Sequence, residues 1–185
     1  FQCEEKGVEM EGVKRNQVCL MPHQRAWDEE FERVRKQILE IWGENVLDIQ
    51  HVGSTAIPSI WAKPILDAAV RLCSIDRMNK DKLEELGYDY RGPQHGKETY
   101  HLFVLRGAGE LSLHHIHCYD KSDGEFFQLV GFRDYLCTHE EKAAEYEKLK
   151  RSLAAQYPLA RVAYTEGKKD FIQGIYEILE KNEGV

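Results

Sequence analysis

An apolar run that breaks at a glycine-serine turn and resumes around a single aspartate constrains this chain more than any other feature. It occupies residues 51–70, His-Val-Gly-Ser-Thr-Ala-Ile-Pro-Ser-Ile-Trp-Ala-Lys-Pro-Ile-Leu-Asp-Ala-Ala-Val, with Asp67 thirteen positions beyond Ser54. A Gly-Ser turn after a strand presents backbone N–H groups and a hydroxyl that can hold phosphate oxygens. A lone carboxylate in an apolar strand is costly unless a cation or hydrogen-bond donors satisfy it. The expected chemistry is therefore phosphate at Gly53, Ser54 and Thr55 and a metal at Asp67.

Periodicity supplies the frame. Trp27, Phe31, Val34, Ile38 and Ile41 recur at helical spacing between charged residues, which predicts an amphipathic helix over 24–42, stopped by Gly43. Strands are predicted at about 46–52, 65–72, 99–106 and 111–119, with a helix at about 76–86. Gly107-Ala108-Gly109 joins the last two strands into a hairpin, and from about residue 125 the pattern is helical. No repeat, low-complexity tract or Pro/Gly/Ser-rich linker divides the chain, so the expected organisation is an N-terminal tail over 1–15 and one domain over 16–185. The fold class is α+β, a small mixed β-sheet backed by helices with a C-terminal helical layer packed onto it.

Strand alternation then decides which side chains share a face. Leu66, Ala68 and Val70 form an apolar side, leaving Asp67 opposite with Ile65 and Ala69. In the strand at 111–119, His115 and His117 project together, away from His114, Ile116 and Cys118. Two imidazoles at i, i+2 joined by Asp67 offer the mixed nitrogen and oxygen donors that suit zinc, manganese or a similar divalent ion. The ordinary alternative is a histidine pair that only hydrogen-bonds to nearby backbone. Lys63, fixed before Pro64, either neutralises a phosphate or is a solvated surface lysine. Arg133 and Lys168, beside Phe132, Tyr135 and Phe171, are expected to form a cationic wall around an anionic substrate, with Asp134 or Glu125 as the alternative partner of Arg133.

Composition excludes several classes. The net charge of −7 and a pI near 5.6 leave no broad basic surface for nucleic acid or an anionic membrane. Cys3, Cys19, Cys73, Cys118 and Cys137 are odd in number and contain no Cys-x-x-Cys pair, so they are read as reduced thiols. No apolar run approaches the roughly 20 residues of a membrane span, and the opening Phe-Gln-Cys-Glu-Glu is too acidic for a signal peptide. A cytoplasmic location is expected. There is no Gly-x-Ser-x-Gly elbow, phosphate-binding Gly-Lys-Ser/Thr loop or Gly-x-Gly-x-x-Gly. Cys118 and His117 are adjacent in a strand and point to opposite faces, which rules out a direct thiol-imidazole dyad.

The stretch His51-Val-Gly-Ser-Thr-Ala-Ile-Pro, followed by Ala62-Lys63-Pro64-Ile65-Leu66-Asp67, closely resembles the signature of the GrpB-like family. His114-His115-Ile116-His117, Phe132-Arg133-Asp134-Tyr135-Leu136 and Ala163-Tyr164-Thr165-Glu166-Gly167-Lys168 with Phe171-Ile172 continue the match in order, so it spans about residues 16–180. The resemblance implies a fold similar to the DNA polymerase beta-type nucleotidyltransferases, where a Gly-Ser turn contacts the triphosphate and strand-borne carboxylates hold divalent metal. Ser54 and Asp67 fall at those two places. The second acid of that superfamily, two positions on, is here Ala69, and where a third acid is expected on a neighbouring strand this chain offers His115 and His117. The expected cofactor is a divalent metal, magnesium, manganese or zinc, held by Asp67, His115 and His117. Asp67 and His117 would be catalytic, and Gly53, Ser54, Thr55, Lys63, Arg133 and Lys168 would bind substrate. The activity implied is metal-dependent transfer of a nucleotidyl or phosphoryl group from a nucleoside triphosphate to a small acceptor. The alternative is a non-catalytic module that binds a nucleotide or another phosphorylated metabolite.

Overall fold

The structure, a computed structural model, describes residues 10–183. The elements are β1 (Val13–Lys14), α1 (Arg25–Trp42), β2 (Val46–Val52), β3 (Leu66–Leu72), α2 (Lys80–Glu85), β4 (Tyr88–Gln94), β5 (Lys97–Arg106), β6 (Leu111–Asp120), α3 (Glu125–Thr138), α4 (Glu140–Gln156), α5 (Arg161–Glu166) and α6 (Lys169–Glu183). Five strands run in the order β2-β3-β6-β5-β4, and β1 pairs with the start of β6. β3 and β6 are parallel, while every other pair is antiparallel. The expected mixed sheet with helical backing is thus present.

Both faces of the sheet are covered, which is why β3 is apolar almost throughout. On one face Trp27, Phe31, Val34, Ile38 and Trp42 of α1 pack over Leu66, Ala68, Val70, Phe103, Ile116 and Cys118. Fully burying an aliphatic side chain contributes about 1.5–3 kcal/mol, and Ile38, Leu66 and Ile116 are wholly buried. On the other face Val52, Ala69, Tyr100 and Tyr119 meet Phe126 of α3. Ile57 and Ile60, from the loop after the glycine-serine turn, pack with Phe132, Leu136, Ala143, Tyr146 and Ile175 and tie the C-terminal helices to the sheet.

His114 shows what the α1 face does with a polar side chain. Its Nδ1 accepts from the Tyr88 hydroxyl at 2.8 Å and its Nε2 lies 3.0 Å from Glu30 Oε1. Arg33 completes the chain at 2.6 Å. Burial pushes the Glu30 carboxyl up, but the hydrogen bonds from Arg33 and His114 outweigh it and hold the group at about 2. His114 is therefore a satisfied core histidine.

Three segments differ from expectation. The helix expected over 76–86 begins at Lys80, because Asn79 caps it by accepting the Lys82 N–H at 3.4 Å, and Ile75–Arg77 forms a separate short turn. β4 was not expected, since Gly92 and Pro93 interrupt its pattern, a composition tolerated at the sheet edge where β4 lies. The stretch taken as a tail is integrated from Met10, which is buried, through β1. Residues 1–9, including Cys3, lie outside the described residues. Cys19, Cys73, Cys118 and Cys137 are free thiols, and burial pushes the Cys118 thiol well up, so it has no nucleophilic character. No helix among the described residues is long and apolar enough to cross a membrane.

Candidate functional site

Parallel pairing of β3 with β6 sets Asp67 opposite His115 and Ala69 opposite His117. All four side chains therefore project from the face away from α1. Asp67 Oδ1 lies 3.0 Å from His117 Nε2 and 3.3 Å from His115 Nδ1. Burial raises the Asp67 pKa, yet the hydrogen bonds and charges of the two histidines dominate and hold the carboxyl well below the usual range. One ligand atom from each of the three residues lies within 4.8 Å of the others. The side chains are 17–26% exposed, so the group is reachable from solvent.

The far side of His117 is anchored as well. Its Nδ1 is 2.7 Å from the Tyr100 hydroxyl, whose ring stacks on the imidazole, and Tyr119 stacks on Tyr100 in turn. The pattern assigns His117 as the Nε2–H tautomer, with Tyr100 donating to Nδ1 and Nε2–H donating to Asp67. Such an outer partner fixes the ring plane, and ligation of a metal through Nε2 would require the other tautomer, with Nδ1–H donating to the Tyr100 hydroxyl.

The turn before β3 completes this side of the site. Gly53 has φ +71° and ψ −174°, a conformation that is essentially confined to glycine, and a Cβ there would lie 2.7 Å from Asp67 Oδ2. Glycine is required both for the chain's direction and for the close approach of the carboxylate. The following turn, Ser54–Ala56, makes its hydrogen bonds from Ala56 N to Gly53 O and from Ile57 N to Ser54 O. The N–H groups of Ser54 and Thr55 precede those bonds and are not used by them. Thr55 differs from expectation in one respect. Its hydroxyl is engaged by His51 Nε2 at 3.0 Å and donates to the Ile65 carbonyl at 3.4 Å, so it pins the turn and leaves only its backbone for a ligand. His51, stacked on Phe31 and held at about 4 by burial, is neutral and structural.

A cavity of about 320 Å³ lies between this face and the C-terminal helices. Lys63 and Lys168 border it, with their ammonium groups 5.2 and 4.6 Å from the ring of Tyr164, and Arg161 faces it from the start of α5. Among the described residues none of these three cations has a carboxylate partner, whereas Lys142, Arg151 and Lys169 each hold a glutamate at 2.7–2.8 Å. Burial, reinforced for Lys63 by Arg161 and Lys168, lowers Lys63 to about 7, and burial lowers Lys168 to about 8. Arg161 is lowered by burial too. Three cations thus oppose one carboxylate, in a chain whose net charge is −7. The wall also carries Tyr146 and Ser54.

Arg133 is the one expected residue that stands elsewhere. Its guanidinium donates to the His51 carbonyl at 2.7 Å and to Gln50 Oε1 at 2.9 Å, and pairs with Asp134 at 2.7 Å. Phe132 lines the cavity instead, and the next helical residue is turned by about 100°. Arg133 therefore clamps β2 to α3. Arg161 and Tyr146 were missed, because nothing in their local sequence separates them from solvated helix residues. Their place depends on how α4 and α5 dock.

The GrpB protein family matches residues 17–178 of this chain. The glutamate-rich protein GrpB of Alkalihalophilus pseudofirmus is 36% identical over 173 residues, covering 90% of this chain and 98% of that protein. YqkA of Bacillus subtilis is 30% identical over 161 residues, and the match covers 86% of this chain but 46% of that longer protein. Among solved structures, conserved protein GrpB from Enterococcus faecalis superposes with a TM-score of 0.81 at 30% identity, over 90% of this chain and all of that one. Cid1 in complex with its short product ApU gives a TM-score of 0.50 at 10% identity, over 74% of this chain and 43% of Cid1. That likeness shows a nucleotidyltransferase-like fold and nothing finer.

Proposed function

The chain belongs to the GrpB family, and on that premise we propose that its cavity binds the phosphates of a nucleotide and supports metal-dependent transfer of a nucleotidyl or phosphoryl group to a small acceptor. The observation that carries the proposal is the convergence of Lys63, Arg161 and Lys168, none with a carboxylate partner among the described residues, on a cavity bordered by Asp67 and His115, with His117 grouped on the same carboxylate. Unpaired, partly desolvated cations are costly in the empty protein and favourable once an anion enters. The two lysines would carry the charge of the phosphates, Arg161 would hold two of their oxygens at once, and the Ser54 and Thr55 N–H groups would orient them. The same net charge of −7 disfavours nucleic acid as the partner and points to a small, soluble ligand. The cytoplasm is the matching compartment.

Two imidazoles and one carboxylate fit a single divalent ion such as manganese or zinc better than magnesium, which favours oxygen ligands. A bound ion would polarise a phosphoryl oxygen. The protein's own contribution is orientation: Asp67 aligns both imidazoles, and Tyr100 holds His117 so that Nε2 faces the carboxylate. Ala69 is wholly buried among Val52, Tyr100, Tyr119 and Phe126, so no second carboxylate bridges a pair of ions from that position. That observation favours the second reading, a module of the same fold that holds a nucleotide or phosphorylated metabolite without chemistry. Calorimetric titration with ATP, with and without manganese, followed by assay over a panel of acceptors of both pyrophosphate release, the product of nucleotidyl transfer, and ADP release, the product of phosphoryl transfer, separates the two. Saturable binding without release supports the module. Lys168→Ala is expected to weaken ATP binding at least tenfold, as loss of a charge-assisted contact worth about 1.5–3 kcal/mol requires. Unchanged affinity in that variant would remove the cavity from consideration.

The lysines also set a pH dependence. An anion favours the ammonium form, so binding raises pKa values that the empty cavity holds at about 7 and about 8. Protons are taken up on binding, and affinity is strongest below the empty-state values and declines as pH rises from 7 to 9. The decline should reach up to about one log unit per pH unit for each lysine that titrates. ATP affinity measured at constant ionic strength across that range checks this, and a flat profile contradicts it.

A further inference from the structure

We infer that a second cavity, on the other side of Arg161, takes a phosphate group carried by the acceptor, so that the acceptor is itself a phosphomonoester. The inference rests on the nucleotide-binding reading above and adds the acceptor's chemical class. The second cavity, about 360 Å³, lies between β5, β6 and α5 and shares His115, Arg161 and Thr165 with the first. A molecule seated in it therefore lies against His115 and Arg161, which also border the first cavity.

Arginines dominate the polar lining of this cavity. Arg15, Arg106 and Arg161 converge on it, between apolar walls that include Val104 and Val162. Arg161 makes only long hydrogen bonds among the described residues, to the Arg15 carbonyl at 3.4 Å and to Ser112 Oγ at 3.5 Å. Arg106 pairs through Nε with Asp89 at 3.4 Å, and its Nη1 is shut off from solvent with no partner among the described residues. Glu166 also borders the space, but Lys169 holds its carboxylate at 2.7 Å. Three guanidinium groups against Asp89 leave an excess of two positive charges, one of them that of Arg161, which this cavity shares with the first. A phosphate dianion matches that excess where a single carboxylate does not. Planar guanidinium forks are also suited to holding two phosphate oxygens together. The lysine-lined first cavity and the arginine-lined second one thus form two adjoining anion sites that share Arg161.

Inorganic phosphate is the probe, and the readout is the arginine Nε–H resonances of isotopically labelled full-length protein, assigned with Arg15→Gln and Arg106→Lys. The expected result is saturable movement of the Arg15 and Arg106 signals that survives in Lys168→Ala. The same titration in Arg15→Gln, followed at Arg106, should need at least tenfold more phosphate. Arg106→Lys keeps the charge near Asp89 but loses the fork, and followed at Arg15 it should weaken binding similarly. Signals that do not move, or move equally with sodium chloride at matched ionic strength, overturn the inference. An equal response to acetate overturns the assignment to phosphate. Failure of the nucleotide reading appears separately, as ATP binding that is absent or indifferent to Lys168→Ala.

Discussion

Asp67→Asn is expected to abolish the protein's response to divalent metal and to destabilise the metal-free fold at the same time. In the wild type, manganese at a hundred times its dissociation constant should stabilise by about 2.7 kcal/mol. For a chain of this size that raises the melting temperature by roughly 5–11 °C. The amide keeps the shape of the carboxylate but neither its charge nor its affinity for the ion, so the rise should vanish. Without metal, the variant loses the charge that His115 and His117 stabilise, at a cost of about 1–3 kcal/mol. The sign of the pH effect follows from the depressed pKa of Asp67. Its stabilisation is present above the ordinary carboxylate range and is lost as pH falls through the folded-state value, so wild type and variant should converge in acid. Melts of both proteins in EDTA and in manganese decide the matter, and an equal metal-induced rise in the two would show that Asp67 is not a ligand.

Gly53→Ala should damage the same centre from the other side. The backbone at φ +71° and ψ −174° costs an alanine about 1–3 kcal/mol before any contact is considered. The added methyl would also lie 2.7 Å from Asp67 Oδ2, forcing the turn and the carboxylate apart. The urea midpoint should fall, and ATP affinity should drop by more than the loss seen in Lys168→Ala, because the Ser54 and Thr55 N–H groups move with the turn. A variant that binds ATP as the wild type does would mean that the turn does not touch the ligand.

Much of the centre was legible because it depends on strand alternation, a local rule. Once 65–72 and 111–119 are read as strands, the period of two places Asp67 on one face and groups His115 with His117 away from His114. The parallel pairing then had only to bring the two strands together. Whether Asp67 stood unsatisfied was not legible. In an apolar run it reads as a carboxylate without donors, so its removal would be expected to stabilise the empty protein. The hydrogen bonds from two residues about fifty positions away reverse that expectation. The cavity's far wall was also beyond a local reading. Arg161 and Tyr146 gain their position from the docking of α5 and α4, and Arg133 was placed in the wall when its helical neighbour Phe132 occupies it. Lys63 and Lys168 border the cavity, Lys63 beside the turn where Pro64 fixes its backbone.

The central claim, that one divalent ion sits on Asp67, His115 and His117 beneath a nucleotide phosphate, is tested most directly by an anomalous difference map from crystals grown with manganese and a non-hydrolysable ATP analogue. The account predicts a single strong peak at about 2.0–2.2 Å from one atom of each of the three side chains, with phosphate density reaching Lys63, Arg161 and Lys168. An empty Asp67 centre with the ion held elsewhere, or phosphates bound away from those three cations, would contradict it.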